Sequence, residues 1–181
     1  AQRLTRLQAT VADGCTDATH ERVLAFAHRN VRLLRVPRGG KAKALNAGVA
    51  ATRYPIVLFT DVRQQLERSA LRNLVACFAD PAVGAASGEL VILEGQSWQE
   101  TNIGLYWKYE KWIRTSQSAL DSVAGATGCI YAMRRELLTV MPADTLLDDV
   151  YLPMGAFFRG YRVVVDPSAV AFDYATSLKT E

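Results

Sequence analysis

The sequence predicts an α/β domain with a mostly parallel sheet flanked by helices. The first half alternates short apolar segments with helical ones, the pattern of β-α-β units. Within it, 54–60 (YPIVLFT) is a continuous apolar run, the mark of a strand buried on both faces. The 181 residues contain no internal repeat and no low-complexity linker, so 1–181 reads as one domain with a sizeable core.

The elements follow in order. Residues 7–12 (LQATVA) suit a short strand that ends in an Asp-Gly turn. A helix is predicted over 16–29, with Thr16 or Asp17 as N-cap. Residues 31–36 alternate apolar and basic side chains and suit a second strand, broken at 37–40 by proline and glycine. The alanine-rich stretch 41–52 has apolar residues at 42, 45 and 49, which predicts a helix. After the strand at 54–60 come a turn at 61–64, a helix over 67–79 and an extended segment over 82–93. A long helix is predicted over 98–118, with Trp98, Leu105, Tyr109 and Trp112 near one face. A strand at 129–133, a short helix at 134–140, a helix at 148–159 ended by Gly160, and strands at 161–166 and 169–172 complete the chain.

Composition excludes several function classes. Half the residues are hydrophobic and 22% are charged, an ordinary globular mixture. No apolar run approaches the roughly 18–20 residues that span a bilayer. The net charge of +3 comes without a Lys/Arg block, so nucleic acid is not an expected partner. The three cysteines, Cys15, Cys77 and Cys129, are far apart and form no CxxC pair, which argues against zinc and a disulfide framework and for a reducing compartment. His20 and His28 are the only histidines, and no GxGxxG is present, so neither a Ser-His-Asp site nor a dinucleotide oxidoreductase is supported.

Ligands of open α/β sheets bind beyond the carboxyl ends of the strands. Asp13 follows the first strand, Lys41 the second and Asp61 the third, so three polar groups converge on one rim. Asp61 faces either a cleft, where its carboxylate can hold a divalent cation against a diphosphate, or a turn it merely caps. Lys41 follows Gly39-Gly40 and opens a helix, an anion-binding arrangement, though without P-loop spacing a solvated lysine fits as well. Thr145-x-x-Asp148 has the outline of a capping box, which gives Asp148 a structural role and leaves Asp149 as a candidate general base. The plain alternative is two acids favouring a helix dipole. The aromatic stretch over 98–113 suits a core or an interface better than a sugar-stacking platform.

Together these segments resemble the family 2 glycosyltransferases, the inverting enzymes of GT-A fold, over nearly the whole chain. VADGCTDAT (11–19) is similar to the family's DGSTDGT loop, GKAKALNAG (40–48) to its GKxxALNxG segment, and FTD (59–61) to the start of its DxD motif. VGAASG (83–88), GCIYAMRR (128–135), LDD (147–149) and GYRVVVDP (160–167) resemble its later motifs. Each is weak alone; in this order they are strong.

The resemblance implies that Asp13 contacts the base or ribose of a nucleotide-diphosphate sugar and that Lys41 lies near the nucleotide. It implies that Asp61 binds the diphosphate and a Mg2+ or Mn2+ ion. Gly128 and Asp148 would line the acceptor site. Asp149 would be the base that deprotonates a saccharide or lipid-linked hydroxyl, which attacks the anomeric carbon with inversion. The setting implied is cell-surface polysaccharide or glycolipid synthesis in bacteria, at the cytoplasmic face of the cell membrane, reached through segments outside this chain. Two departures qualify this. The DxD position reads Asp61-Val62-Arg63, where a guanidinium replaces the second carboxylate; it cannot ligate a cation but can pair with phosphate directly, which leaves metal dependence open. Only residues 1–7 precede the first loop, and the C-terminal region of membrane-linked relatives is absent, so the chain reads as a fragment. The incomplete motif also fits a non-catalytic GT-A-like nucleotide-sugar binding module. A nucleotidyltransferase is disfavoured, since no Gly-rich loop with arginine opens the chain.

Overall fold

A computed structural model describes residues 8–27, 31–93 and 100–174. Among the described residues, seven strands and five α-helices form two sheets with flanking helices. β1 (Gln8–Asp13) and β2 (Val31–Val36) pair in parallel with Asp13 opposite Val36, so both strands end on the same rim. The turn after β1 needs glycine. Gly14 has φ 64°, its N–H donates to the Val36 carbonyl at 2.9 Å, and a Cβ there would lie 2.5 Å from that of Arg38.

α1 (Thr19–Leu24) is shorter than the helix expected over 16–29, and 28–30, with His28, lie outside the described residues. The N-cap residue is Ala18 rather than Thr16 or Asp17, and no side chain caps it; Asp17 accepts the Thr19 N–H from just outside the helix, and α1 buries no residue. Without an apolar face to pack, propensity alone does not extend a helix. α2 (Lys41–Ala51) forms as expected and is tied down by Asn46. The Asn46 amide donates to the Met141 carbonyl at 2.9 Å and accepts the Met141 N–H at 3.0 Å.

The second sheet has the order β3-β6-β5-β7-β4. β3 (Ile56–Thr60) runs antiparallel to β6 (Ile130–Arg134), which runs antiparallel to β5 (Val83–Leu93). β5 is parallel to β7 (Arg162–Tyr174), and the short β4 (Gln65–Leu66) is antiparallel to β7. The parallel expectation thus holds for the two longest ladders and fails at β6 and β4. β3 feeds both faces of the core but lies at an edge, which leaves it half-buried rather than enclosed.

Period-two alternation builds one core on each face of this sheet. Ala85, Tyr131, Met133 and Val163 point to one face, against Ala42 of α2 and Leu152 and Ala156 of α5 (Asp148–Phe157). Ala86, Ile130, Ala132 and Val164 point to the other, against Ala70 and Leu74 of α3 (Ala70–Cys77). α3 starts three residues later than expected because Glu67 accepts the Ser69 N–H, forming a turn ahead of the helix. The helix expected over 134–140 is a single 3-10 turn at Arg135–Leu137.

The strands expected at 161–166 and 169–172 are one strand. Opposite Gly88 the register jumps from Ser87↔Val165 to Glu89↔Val170, so Asp166-Pro167-Ser168-Ala169 bulges out. Proline lacks the N–H that a continuous ladder would use. Gly88 is needed at this crossing, since a Cβ would collide with the Ala169 carbonyl oxygen and lie 3.0 Å from Ile130. Gly88→Ala is expected to lower unfolding stability by about 2–3 kcal/mol through forced backbone movement, measurable by urea titration.

α4 (Glu100–Leu120) matches the long helix, while Trp98 lies outside the described residues. Tyr109 and Trp112 stack at 6.1 Å but are 59% and 64% exposed, so they are not core residues of this chain. None of the helices, among the described residues, is long and apolar enough to cross a membrane.

Candidate active site

Five element ends meet on one rim: the ends of β1 and β3 and the starts of α2, β6 and α5. At α2, Asp13 accepts the N–H of Gly39 at 2.7 Å and of Gly40 at 2.8 Å. The glycine turn expected as an anion site therefore already holds a carboxylate of the chain itself, which fixes the start of the helix. Lys41 Nζ lies 2.8 Å from Asp148 Oδ1, and Asp148 Oδ2 accepts the Tyr131 hydroxyl at 3.0 Å. Burial pulls the Lys41 ammonium down, but the hydrogen bond and charge of Asp148, helped by Asp61 and Asp149, raise it above the ordinary lysine value. Burial, with the charge of Asp148, pushes the Tyr131 phenol far up, so it remains a donor at all working pH values. Tyr131 stacks on Phe59 at 4.6 Å, which fixes the hydroxyl's direction.

The expected capping box does not form. Leu147 is the N-cap residue of α5, no side chain caps it, and Asp148 instead turns inward to Lys41 and Tyr131. Asp149 is half-buried beside it. Its Oδ2 would be 2.7 Å from a Cβ placed on Gly128, and its carbonyl accepts the Ala126 N–H at 2.7 Å. Gly128 is thus the floor on which the Asp149 carboxylate rests, and any side chain there would displace it. Arg114 of α4 closes this side, donating to the Gly125 carbonyl at 3.2 Å and reaching Ser87 Oγ at 3.4 Å. Burial lowers its guanidinium against the attraction of Glu110, Asp149 and Glu89.

Asp61 directly follows β3, exposed, and its carboxylate has no hydrogen-bond or ion-pair partner among the described residues. Arg63 does not stand beside it as a second ligand. It donates from Nη2 to Asp173 Oδ2 at 2.5 Å, and Gln64 Nε2 donates to the same oxygen at 2.9 Å. Asp173, from β7, is nearly buried. Desolvation would raise its pKa, but donation from Gln64, the Tyr174 N–H and Arg63 holds it below the ordinary carboxylate range. A depressed folded pKa stabilises fully above the unfolded value, and that stability is lost as pH falls through the folded one. Acid melts of the parent are therefore expected to fall more steeply with pH than those of Asp173→Asn. Burial and the charges of Asp61 and Asp173 push the Cys129 thiol up to about 11, which keeps it an unreactive thiol.

The residues present do not make a resident metal site. No group of three or more His, Cys, Asp or Glu side chains among the described residues is placed to hold an ion. Asp61 is one open carboxylate, and Asp173 is satisfied by Arg63. A divalent cation needs more oxygen donors than that from the protein or its ligand.

Of the site residues read from sequence, Lys41, Asp148, Asp149, Asp61 and Gly128 come together here. Asp13 sits one turn away as a backbone latch, and Arg63 turns toward β7. Sequence reasoning missed Tyr131, Arg114 and Asp173. Tyr131 carried a faint signal as the polar-tipped residue of an inward strand position; Asp173 carried none.

The model of Glycosyl transferase family 2 matches residues 9–140. No curated protein matches significantly. Among solved structures, a mannosyltransferase from Pyrobaculum calidifontis, in complex with GDP-Man and Mn2+, is 26% identical with a TM-score of 0.77, over 94% of this chain and 48% of that one. Glucosyl-3-phosphoglycerate synthase from Mycobacterium tuberculosis, in complex with Mn2+, UDP-glucose and phosphoglyceric acid, is 21% identical with a TM-score of 0.62, over 94% of this chain and 61% of that one. The chain therefore spans about half to three fifths of the length of these proteins. With the strand-end carboxylate, the glycine-floored aspartate and the matched 132 residues (9–140) all lying on one α/β frame, the chain belongs to glycosyl transferase family 2.

Proposed function

We propose that this chain is part of an enzyme that transfers a sugar from a nucleotide-diphosphate donor to a hydroxyl acceptor with inversion. The carrying observation is the half-buried Asp149 carboxylate resting on Gly128, on the same rim as Asp61. Asp149 takes the proton from the acceptor hydroxyl. The oxygen then bonds to the anomeric carbon from the face opposite the diphosphate, and the bond from that carbon to the diphosphate oxygen breaks. The proton ends on Asp149 and the electron pair on the nucleoside diphosphate. Asp61 faces the diphosphate end of the donor. Asp13 and Lys41 shape the nucleotide end by fixing the glycine turn and the start of α2, and Asp148 lies beside the acceptor as the counter-charge of Lys41.

The neighbours named above hold GDP-Man or UDP-glucose together with Mn2+, which supports a nucleotide sugar as donor class. Use of Mg2+ or Mn2+ by this chain has Asp61 alone to rest on. The acceptor is read as a saccharide or lipid-linked hydroxyl, in bacterial cell-surface polysaccharide or glycolipid synthesis, with membrane attachment through parts of the protein beyond 1–181. We read 1–181 as one catalytic domain in part, working at the cytoplasmic face of the membrane.

The test is nucleotide release from UDP-glucose and GDP-mannose by the full-length protein, with and without saccharide acceptors. Acceptor-stimulated release supports the reading. Binding of a nucleotide sugar with no release under any condition would establish the binding-module reading that the incomplete DxD favours.

A further inference from the structure

Taking the nucleotide-diphosphate donor proposed above as given, we infer that Arg63, held in place by Asp173, neutralises the diphosphate directly, where relatives place a second carboxylate for a metal. Four observations converge on this.

First, Arg63 stands two residues after the strand-end Asp61 and is 63% exposed, while its anchor Asp173 is 7% exposed. A guanidinium has five N–H donors in a fixed fork. Asp173 engages Nη2, and the remaining donors of this largely exposed side chain have no partner among the described residues. A planar fork with spare donors matches two phosphate oxygens, which an ammonium does not.

Second, the anchor is itself rigid. Asp173 lies in the long strand β7 and is fixed by Gln64 Nε2 at 2.9 Å and by the Tyr174 N–H at 2.9 Å. Arg63 and Gln64 are consecutive in the chain and grip one oxygen, which locks the loop after Asp61 against the sheet. That is more than a solvated surface arginine requires.

Third, the charges of Asp61, Asp173 and Arg63 all bear on the thiol of Cys129, the residue just before β6, so the pair lies at the same end of the sheet as Asp61. Asp61, at the same end, is a carboxylate that can only accept, so the N–H donors offered to the diphosphate there come from Arg63.

Fourth, two other cations of the rim are engaged. Lys41 is paired with Asp148, and Arg114 donates to the Gly125 carbonyl. With no metal-holding cluster among the described residues, Arg63, two residues after Asp61 in the chain, is a cation with donors to spare at this end of the sheet.

The competing role for Arg63 is a structural counter-ion for Asp173. The two roles separate by phosphate number and by the shape of the cation. Binding of UDP, UMP, GDP and GMP to the full-length protein is measured by calorimetry in EDTA and again with Mn2+. One diphosphate is expected to bind in EDTA, tighter than its monophosphate, with Mn2+ changing its affinity less than about threefold. Arg63→Ala is expected to weaken the diphosphate by about tenfold to a hundredfold and leave the monophosphate unchanged. Arg63→Lys keeps the charge beside Asp173 and the parent's melting temperature, yet lowers the diphosphate-to-monophosphate ratio. Asp173→Asn, which frees the guanidinium, lowers the same ratio severalfold. Diphosphate binding that appears only with Mn2+ overturns the inference, as does a well-folded Arg63→Lys with the parent's ratio. Failure of all four nucleotides to bind in either condition instead sinks the donor reading on which the inference stands.

Discussion

Asp149→Asn is expected to cut sugar transfer by about 100- to 10,000-fold while donor affinity stays within about twofold of the parent. Asparagine keeps the size and polarity of the side chain but has no basic oxygen to take the acceptor's proton. The backbone grip on this position is unaffected, because the Asp149 carbonyl, not its side chain, accepts the Ala126 N–H. The carboxamide fits over Gly128 as the carboxylate does, since no Cβ is there to meet it. The loss should therefore appear in kcat with little change in the donor's dissociation constant, read from nucleotide release and from calorimetry. Turnover close to the parent's would remove Asp149 from the role of base.

The largest stability effect is expected at its neighbour. Asp148→Ala should destabilise the fold by about 2–4 kcal/mol, measured by urea unfolding. Asp148 is 3% exposed and carries two partners, Lys41 at 2.8 Å and Tyr131 at 3.0 Å. Removing it strands the Tyr131 hydroxyl inside a residue that is fully buried, a cost of about 1–3 kcal/mol. Loss of the Lys41 pair adds less than the roughly 3–5 kcal/mol of a wholly buried pair, because Lys41 is half-exposed and its ammonium returns to water. Adding Tyr131→Phe to Asp148→Ala should recover part of the loss, since it removes the stranded hydroxyl. A double variant no more stable than the single one would show that the hydroxyl is not the source. The same network explains why two adjacent acids at the start of α5 are not equivalent. One is consumed by the fold and the other is left at the rim.

Much of the frame was legible along the chain because its signals are local. The alanine-rich 41–52 stretch, the apolar run ending at Thr60 and the glycine at 160 each state an element's type or end, and Gly160 does adopt φ 83° after α5. Glycines at 128 and 88 are legible only as glycines. Their reasons, a carboxylate over one and a carbonyl against the other, come from residues 21 and 81 positions away, at Asp149 and Ala169. Boundaries failed where packing decided them. α1 stops short because no face of it is buried, and the two closing strands fuse because β5 accommodates a bulge around Pro167.

By itself the sequence determined the α/β class, the order of the motifs, the family and the chemical types on the rim. These follow from short-range periodicity, turn chemistry and residue identity. The tertiary structure alone decided which polar group each of those residues is bound to. Asp13 holds the glycine turn, Lys41 is matched to Asp148, and Arg63 is drawn to Asp173 across 110 residues of chain. A desolvated carboxylate must find a donor wherever the fold brings one, and sequence spacing carries no record of that distance. Once those partners are assigned, the carboxylates of Asp61 and Asp149 are left without a hydrogen-bond or ion-pair partner among the described residues, and the roles proposed for them rest on that.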